Sequence, residues 1–142
     1  MDCSIRLHRR RVLEMTKSFD PQSDFSLRGK TALVTGGGKG IGQGVAIGLA
    51  RSGADIHILD KDLAAAETTV KLLKDDGHHA TAHHVDVTDE SAIDQVMAKI
   101  AAQTSIDLLV NNAGLAIRKA SVDLPLAEWD AVLRLNLTGV FL

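Results

Sequence analysis

The 142-residue sequence contains no tyrosine, one cysteine, two prolines and one tryptophan. The lone Cys3 rules out an internal disulfide, and a chain built without disulfides suits a reducing cytoplasm. No apolar run approaches the roughly 18 residues needed to cross a bilayer, so no membrane-spanning helix is expected. A formal net charge of −2 lacks the cationic excess of a general nucleic-acid binder, and none is expected as a partner. The rest of the composition is ordinary for a globular domain, with 45% hydrophobic and 24% charged residues. The length suffices for one domain with a sizeable core.

Residues 1–26 differ in character from the rest of the chain. Arg6, His8, Arg9, Arg10, Arg11 and Lys17 form a basic tract with little apolar periodicity, expected to be a disordered leader. Val12-Leu13-Glu14 supplies no apolar core for a signal peptide. An organellar presequence and a basic arm for phosphate surfaces are the alternatives, the first opposed by Asp2, Glu14 and Asp20. Met15 is a second candidate start, which would make the residues before it an extension.

Lys30–Asp60 organises the remainder. Ala32, Leu33 and Val34, flanked by threonines, suit a strand covered on both faces. Gly36, Gly37, Gly38, Gly40 and Gly42 come next within seven residues, allowing a sharp turn and close approach of a ligand to bare backbone. Ile41, Val45 and Leu49 then recur every four residues, predicting a helix whose stripe faces the sheet. Its amino end, opening inside the glycine turn, is an anion site suited to a pyrophosphate. Asp60 ends the next apolar strand, Ile56–Leu59, where an acid can accept hydrogen bonds from adenosine ribose hydroxyls. Its charge repels a 2′-phosphate, which favours NAD over NADP. The spacing Gly36-x-x-x-Gly40-x-Gly42 differs from the commonest dinucleotide fingerprint, and a merely structural turn is the bland alternative.

Beyond Asp60 the chain carries four further signals. Asp62 is a cap candidate for a helix with Leu63, Ala66, Val70 and Leu73 on one stripe, stopped by Gly77. His79–Val85 reads as a strand. The run HHATAHH makes a metal cluster conceivable, but no cysteine lies nearby; a solvated edge strand is the better reading and no metal site is expected. Asp86-Val87 closes that strand, with an adenine contact or a turn acid as its two readings. Thr88 is placed to cap the next helix, with Ile93, Val96, Met97 and Ile100 on one side. Ile106–Val110 predicts a fourth strand running into Asn111-Asn112-Ala113-Gly114, whose amides can tie strand ends or bond a ribose. From Pro125, a suitable first-turn residue, Leu126, Trp129, Leu133, Leu137 and Val140 predict one long amphipathic helix carrying Asn136.

Alternation of strands and helices predicts an α/β fold with a parallel sheet and helices on both faces. Thr35–Gly42, Asp60, Asp86-Val87, Asn111–Gly114 and Asn136–Gly139, in this order and spacing, resemble the short-chain dehydrogenase/reductase family, closest to its polyol dehydrogenase and 3-oxoacyl-carrier-protein reductase types. The resemblance implies a Rossmann-type doubly wound sheet over residues 27–142, incomplete, with the first half, a fourth strand and the start of the next helix. It implies that Gly36, Gly40 and Gly42 line the pyrophosphate turn, with Ile41 on the nicotinamide side. Asp60 would select NAD, Asp86 and Val87 would hold the adenine, and Asn112, Ala113 and Gly114 would pass along the ribose. Asn136 matches the catalytic asparagine that holds a water in the family's proton relay. Lys39, a basic residue before the second motif glycine, is the pattern that accompanies NADP in this family.

The family also relies on a serine and a Tyr-x-x-x-Lys set, and this sequence contains no tyrosine. The expectation is therefore the amino-terminal part of an NAD-dependent oxidoreductase that interconverts a small secondary alcohol and ketone, inactive when alone. The parent enzyme would be a homo-oligomer. The alternative is a non-catalytic nucleotide-binding or interaction module.

Overall fold

The structure, a computed structural model, describes residues 24–142. The basic tract and the candidate start at Met15 lie outside the described residues. Strands β1 (Thr31–Thr35), β2 (Asp55–Asp60), β3 (Ala80–His84) and β4 (Leu108–Val110) form one parallel sheet in the order β3-β2-β1-β4. Helices α1 (Gly40–Arg51), α2 (Leu63–Asp75) and α3 (Glu90–Ala101) are the crossovers. This is the first part of the doubly wound order, as expected from the alternation. Strands β3 and β4 come out shorter than the predicted His79–Val85 and Ile106–Val110, because their outer residues leave the ladder for connecting loops.

Every residue of β1 is buried, and its side chains alternate between two cores. Ala32 and Val34 join Ile56, Ile58, Val70 and Leu73 under α1 and α2. Leu33 faces the other way, joining Leu59, Val85, Val96 and Ile100 under α3. Such a fully buried leucine is worth about 2–5 kcal/mol against alanine, so β1 anchors both layers.

Helix α1 corrects the predicted stripe. Its buried seam is Gly42, Ala46 and Ala50, while Val45 and Leu49 pack only partly and Ile41 is 81% exposed. Small residues let the helix lie close on the strands, which rotates the larger ones to the flanks. Likewise Leu63 of α2 is exposed, and the buried face of that helix includes Thr69 instead. The Thr69 hydroxyl donates to Gly38 O (2.9 Å) and receives the Gln43 amide (2.9 Å), so it is satisfied where it lies.

Asp62 caps α2 as predicted, accepting the Ala65 N–H. Gly77, with φ +83°, lies just past the end of that helix. The predicted cap at Thr88 is wrong: Asp89 caps α3 through the Ala92 N–H, and Thr88 instead bonds Asp86. Pro125 stands at the cap position rather than within the first turn of α4 (Leu126–Leu133). The single long helix predicted beyond it is also corrected. The chain winds as a π-helix over Arg134–Thr138 and returns to α only at Gly139–Phe141. That wide turn contains Asn136.

Candidate functional site

The carboxyl ends of the strands open into a cavity of about 330 Å³. Its walls include Gly36, Lys39, Ile41 and Gly42 after β1, Asp60 at the end of β2, Asp86 and Val87 after β3, and Asn112, Ala113 and Gly114 after β4. It lies where β1 is flanked by β2 on one side and β4 on the other, the switch point at which open α/β sheets hold ligands. Of the residues to which the family resemblance gives a role, only Gly40 and Asn136 are off this wall.

Gly36 and Gly42 build the turn by what they lack. Gly36 adopts φ +64°, and a Cβ on it would stand 3.0 Å from the Ala113 backbone. A Cβ on Gly42 would collide with Gly36 O and the Asn112 amide and stand 2.9 Å from Gly36 C. Backbone, not a movable side chain, fills that space. Helix α1 therefore begins against its own entry loop. It has no side-chain cap, unlike α2 and α3, which Asp62 and Asp89 cap, and no acid in its first turn. The N–H groups of its first turn thus carry no side-chain cap, an arrangement that can hold an anion.

Thr35, at the end of β1, ties the two halves of the wall together. Its hydroxyl accepts the N–H groups of Asn112 and Ala113, each at 3.0 Å, and faces Val110 O at 3.4 Å. The Asn112 amide returns two hydrogen bonds, to Thr35 O (3.0 Å) and Gly36 O (3.1 Å). Asparagine thus acts here by tying strand ends, the first of its two expected roles.

Asp60 is 9% exposed, with both carboxylate oxygens engaged by backbone. Gly38 N–H donates to Oδ2 and Asp62 N–H to Oδ1, each at 2.9 Å. A carboxylate has about four acceptor positions, so capacity remains for a ligand hydroxyl. Lys39 meets Asp62 across the rim, Nζ to Oδ2 at 3.2 Å. Asp86 accepts both the N–H and the hydroxyl of Thr88. The backbone donor first, the hydroxyl next, and the nearby Lys61 and Arg134 charges hold its carboxyl below the usual range, against the opposing effect of burial.

Asn136 is brought to the site's edge but its side chain is occupied. Oδ1 accepts Leu115 N–H and Nδ2 donates to Leu115 O, each at 2.9 Å. Arg134, in the same π-turn, donates to Thr88 O at 2.7 Å. The π-turn is thus stitched to both the Asp86–Thr88 loop and the loop after Gly114. Leu59, Lys61, Val85, Leu115 and Leu135 also line the cavity and were not read as site residues. Lys61 carried a legible signal, being a cation directly after Asp60; the apolar four carried none.

Between β2 and β3, His57 Nδ1 and His83 Nε2 lie 2.9 Å apart, with nearly parallel rings. Strand β3 is the sheet edge, as the histidine run suggested. Among the described residues no group of three or more metal-ligating side chains converges. No helix of the described residues is long and apolar enough to cross a membrane.

Residues 30–142 match the profile of the short chain dehydrogenase family. The chain is 42% identical over 118 residues to the 2-dehydro-3-deoxy-D-gluconate 5-dehydrogenase of Bacillus subtilis, covering 83% of this chain and 46% of that protein. A solved structure provisionally assigned as a gluconate dehydrogenase, from Agrobacterium tumefaciens, superposes with a TM-score of 0.80 at 43% identity, over 82% of this chain and 47% of that one. Another, provisionally assigned as an NAD(P)-dependent gluconate 5-dehydrogenase from Beutenbergia cavernae with NADP bound at low occupancy, gives 0.76 at 37% identity, over 82% and 47%. The chain spans about half the length of the curated relatives it matches.

Proposed function

The chain belongs to the short chain dehydrogenase family, and on that premise we propose that residues 27–142 form the dinucleotide-binding part of an NAD-dependent oxidoreductase. The observation that carries this reading is the bare glycine turn leading into an uncapped helix, with buried Asp60 at the end of the adjacent strand. When bound, the nicotinamide ring supplies a hydride acceptor or donor at C4. The first-turn N–H groups of α1 bind the pyrophosphate, and Gly36 and Gly42 give it room. Asp60 accepts the ribose hydroxyls and disfavours a 2′-phosphate, while Asp86 and Val87 border the adenine. Asn112, Ala113 and Gly114 border the second ribose, and Ile41 excludes water on the nicotinamide side.

Asn136 acts in this reading by fixing the Leu115 loop and the π-turn, since its amide is already committed to Leu115. The substrate is proposed to be a small secondary alcohol or ketone of the sugar-acid or polyol type, after the gluconate-type names of the relatives. No tyrosine occurs among the 142 residues. The family's phenolic acid–base is thus not among them, and the hydride-transfer activity is proposed for a longer parent protein, with nucleotide binding proposed for this chain. A non-catalytic nucleotide-binding module is the second reading, and the missing tyrosine is the observation that favours it. The exposed apolar face of Leu126, Trp129 and Leu137 supports a homo-oligomer. The single cysteine supports a cytoplasmic setting.

Calorimetric titration with NAD⁺ and ADP-ribose tests the site: saturable binding supports it, and no heat at millimolar ligand rejects it. Intact mass of the natural protein separates the two readings. A mass near twice 15.1 kDa favours the oxidoreductase, and a mass of 15.1 kDa favours the module.

A further inference from the structure

Two lysines, Lys39 and Lys61, line the cavity beside the acid that faces the ribose. Taken alone they are what a 2′-phosphate needs. Neither stands without a carboxylate, however. Lys61 lies in the field of Asp86, and Lys39 is ion-paired to Asp62 at 3.2 Å. Asp62 is placed for this by two backbone contacts. Its N–H donates to Asp60 Oδ1 and its Oδ1 accepts the Ala65 N–H at 3.1 Å, which leaves Oδ2 to face Lys39. The bond from Ala65 first, and Lys39 second, hold the Asp62 carboxyl below the usual range, so it stays charged at neutral pH.

We propose that Asp62 is a cofactor-selectivity residue that acts through Lys39: by engaging the ammonium across the rim, it withholds that cation from a 2′-phosphate and keeps the site selective for NAD. The inference rests on the dinucleotide reading above and adds to it a second acid with a different task. Asp60 repels a 2′-phosphate by its own charge; Asp62 acts by occupying the cation that would otherwise attract one. On this proposal Lys39 does not act as an NADP signal, because its ammonium is engaged by Asp62.

The test is the ratio of NADP⁺ to NAD⁺ affinity, by calorimetry at low salt, for the wild-type chain, Asp62→Asn and the double variant Lys39→Gln/Asp62→Asn. Asparagine caps helices as well as aspartate, so the α2 cap is retained, and thermal melts verify it. Freeing an exposed pair of this kind is expected to raise the ratio about three- to fivefold in Asp62→Asn, with the gain shrinking as salt screens it. In the double variant the ratio is expected to return to within about twofold of wild type, since no lysine remains to be freed. An unchanged ratio in Asp62→Asn overturns the inference. So does a gain that persists in the double variant, because Asp62 would then act by its own charge. A folded wild-type chain that binds neither nucleotide overturns the site reading itself, and this inference with it.

Discussion

Replacing Thr35 by valine separates two accounts of β1. Valine has nearly the same shape and a higher strand preference, and Thr35 is buried. If the hydroxyl were a passenger, Thr35→Val would stabilise the fold. The structure argues the reverse, because that oxygen is the acceptor for the Asn112 and Ala113 N–H groups, each at 3.0 Å. Each donor stripped of its partner in a buried site costs about 1–3 kcal/mol. Asn112 and Ala113 are only half-buried, so water partly compensates and the sum falls near ~2–4 kcal/mol. Thr35→Ser keeps the oxygen and loses a methyl group, at about 1 kcal/mol. Urea unfolding should therefore rank wild type above Thr35→Ser, and Thr35→Ser above Thr35→Val. A valine variant as stable as the serine variant would refute the reasoning.

The same geometry yields two more expectations. The His57–His83 pair makes the fold acid-sensitive: burial chiefly, then the neighbouring His57 and Lys99 charges, lowers His83 from 6.5 to about 4, while burial lowers His57 against the attraction of Asp55. With folded pKa values below unfolded ones, the unfolded chain binds more protons. Stability is then complete above pH 6.5 and is lost as pH falls from 6.5 toward about 4. Solvent screening at these half-exposed rings limits the His83 loss to about 1–2 kcal/mol. Urea midpoints at pH 7.5 and 5 should differ more for wild type than for His83→Gln, and equal differences would reject the assignment. Gly42→Ala drives a methyl group into backbone at Gly36. It should destabilise by about 1–3 kcal/mol and weaken ADP-ribose at least about tenfold; unchanged affinity in calorimetry would mean the turn does not hold the pyrophosphate.

Much of this architecture was legible because it is written in local patterns. The apolar run of β1, the glycine cluster and the acids closing β2 and β3 each depend on a few adjacent residues. Features that escaped the sequence depend on distance or competition. The seam of α1 shifts one residue, from Ile41, Val45 and Leu49 to Gly42, Ala46 and Ala50, because close approach rewards small side chains over apolar ones. Thr88 and Asp89 both qualify as caps, and Asp86 decides between them by taking Thr88. The π-turn around Asn136 has no periodic signature. It is stitched by Leu115 and Thr88, residues 21 and 46 positions from their partners. The Lys39–Asp62 pair spans 23 positions, too far apart for a local pattern to show it.

The most direct measurement is amide chemical-shift mapping of the isotopically labelled chain on addition of ADP-ribose. Saturable shifts should concentrate at Gly36–Gly42, Asp60 and Asp86–Val87, with little change at Asp55 and His79 on the opposite, amino-terminal side of the sheet. Shifts confined to that opposite side, or none at millimolar ligand, would contradict a nucleotide site at the carboxyl ends of the strands.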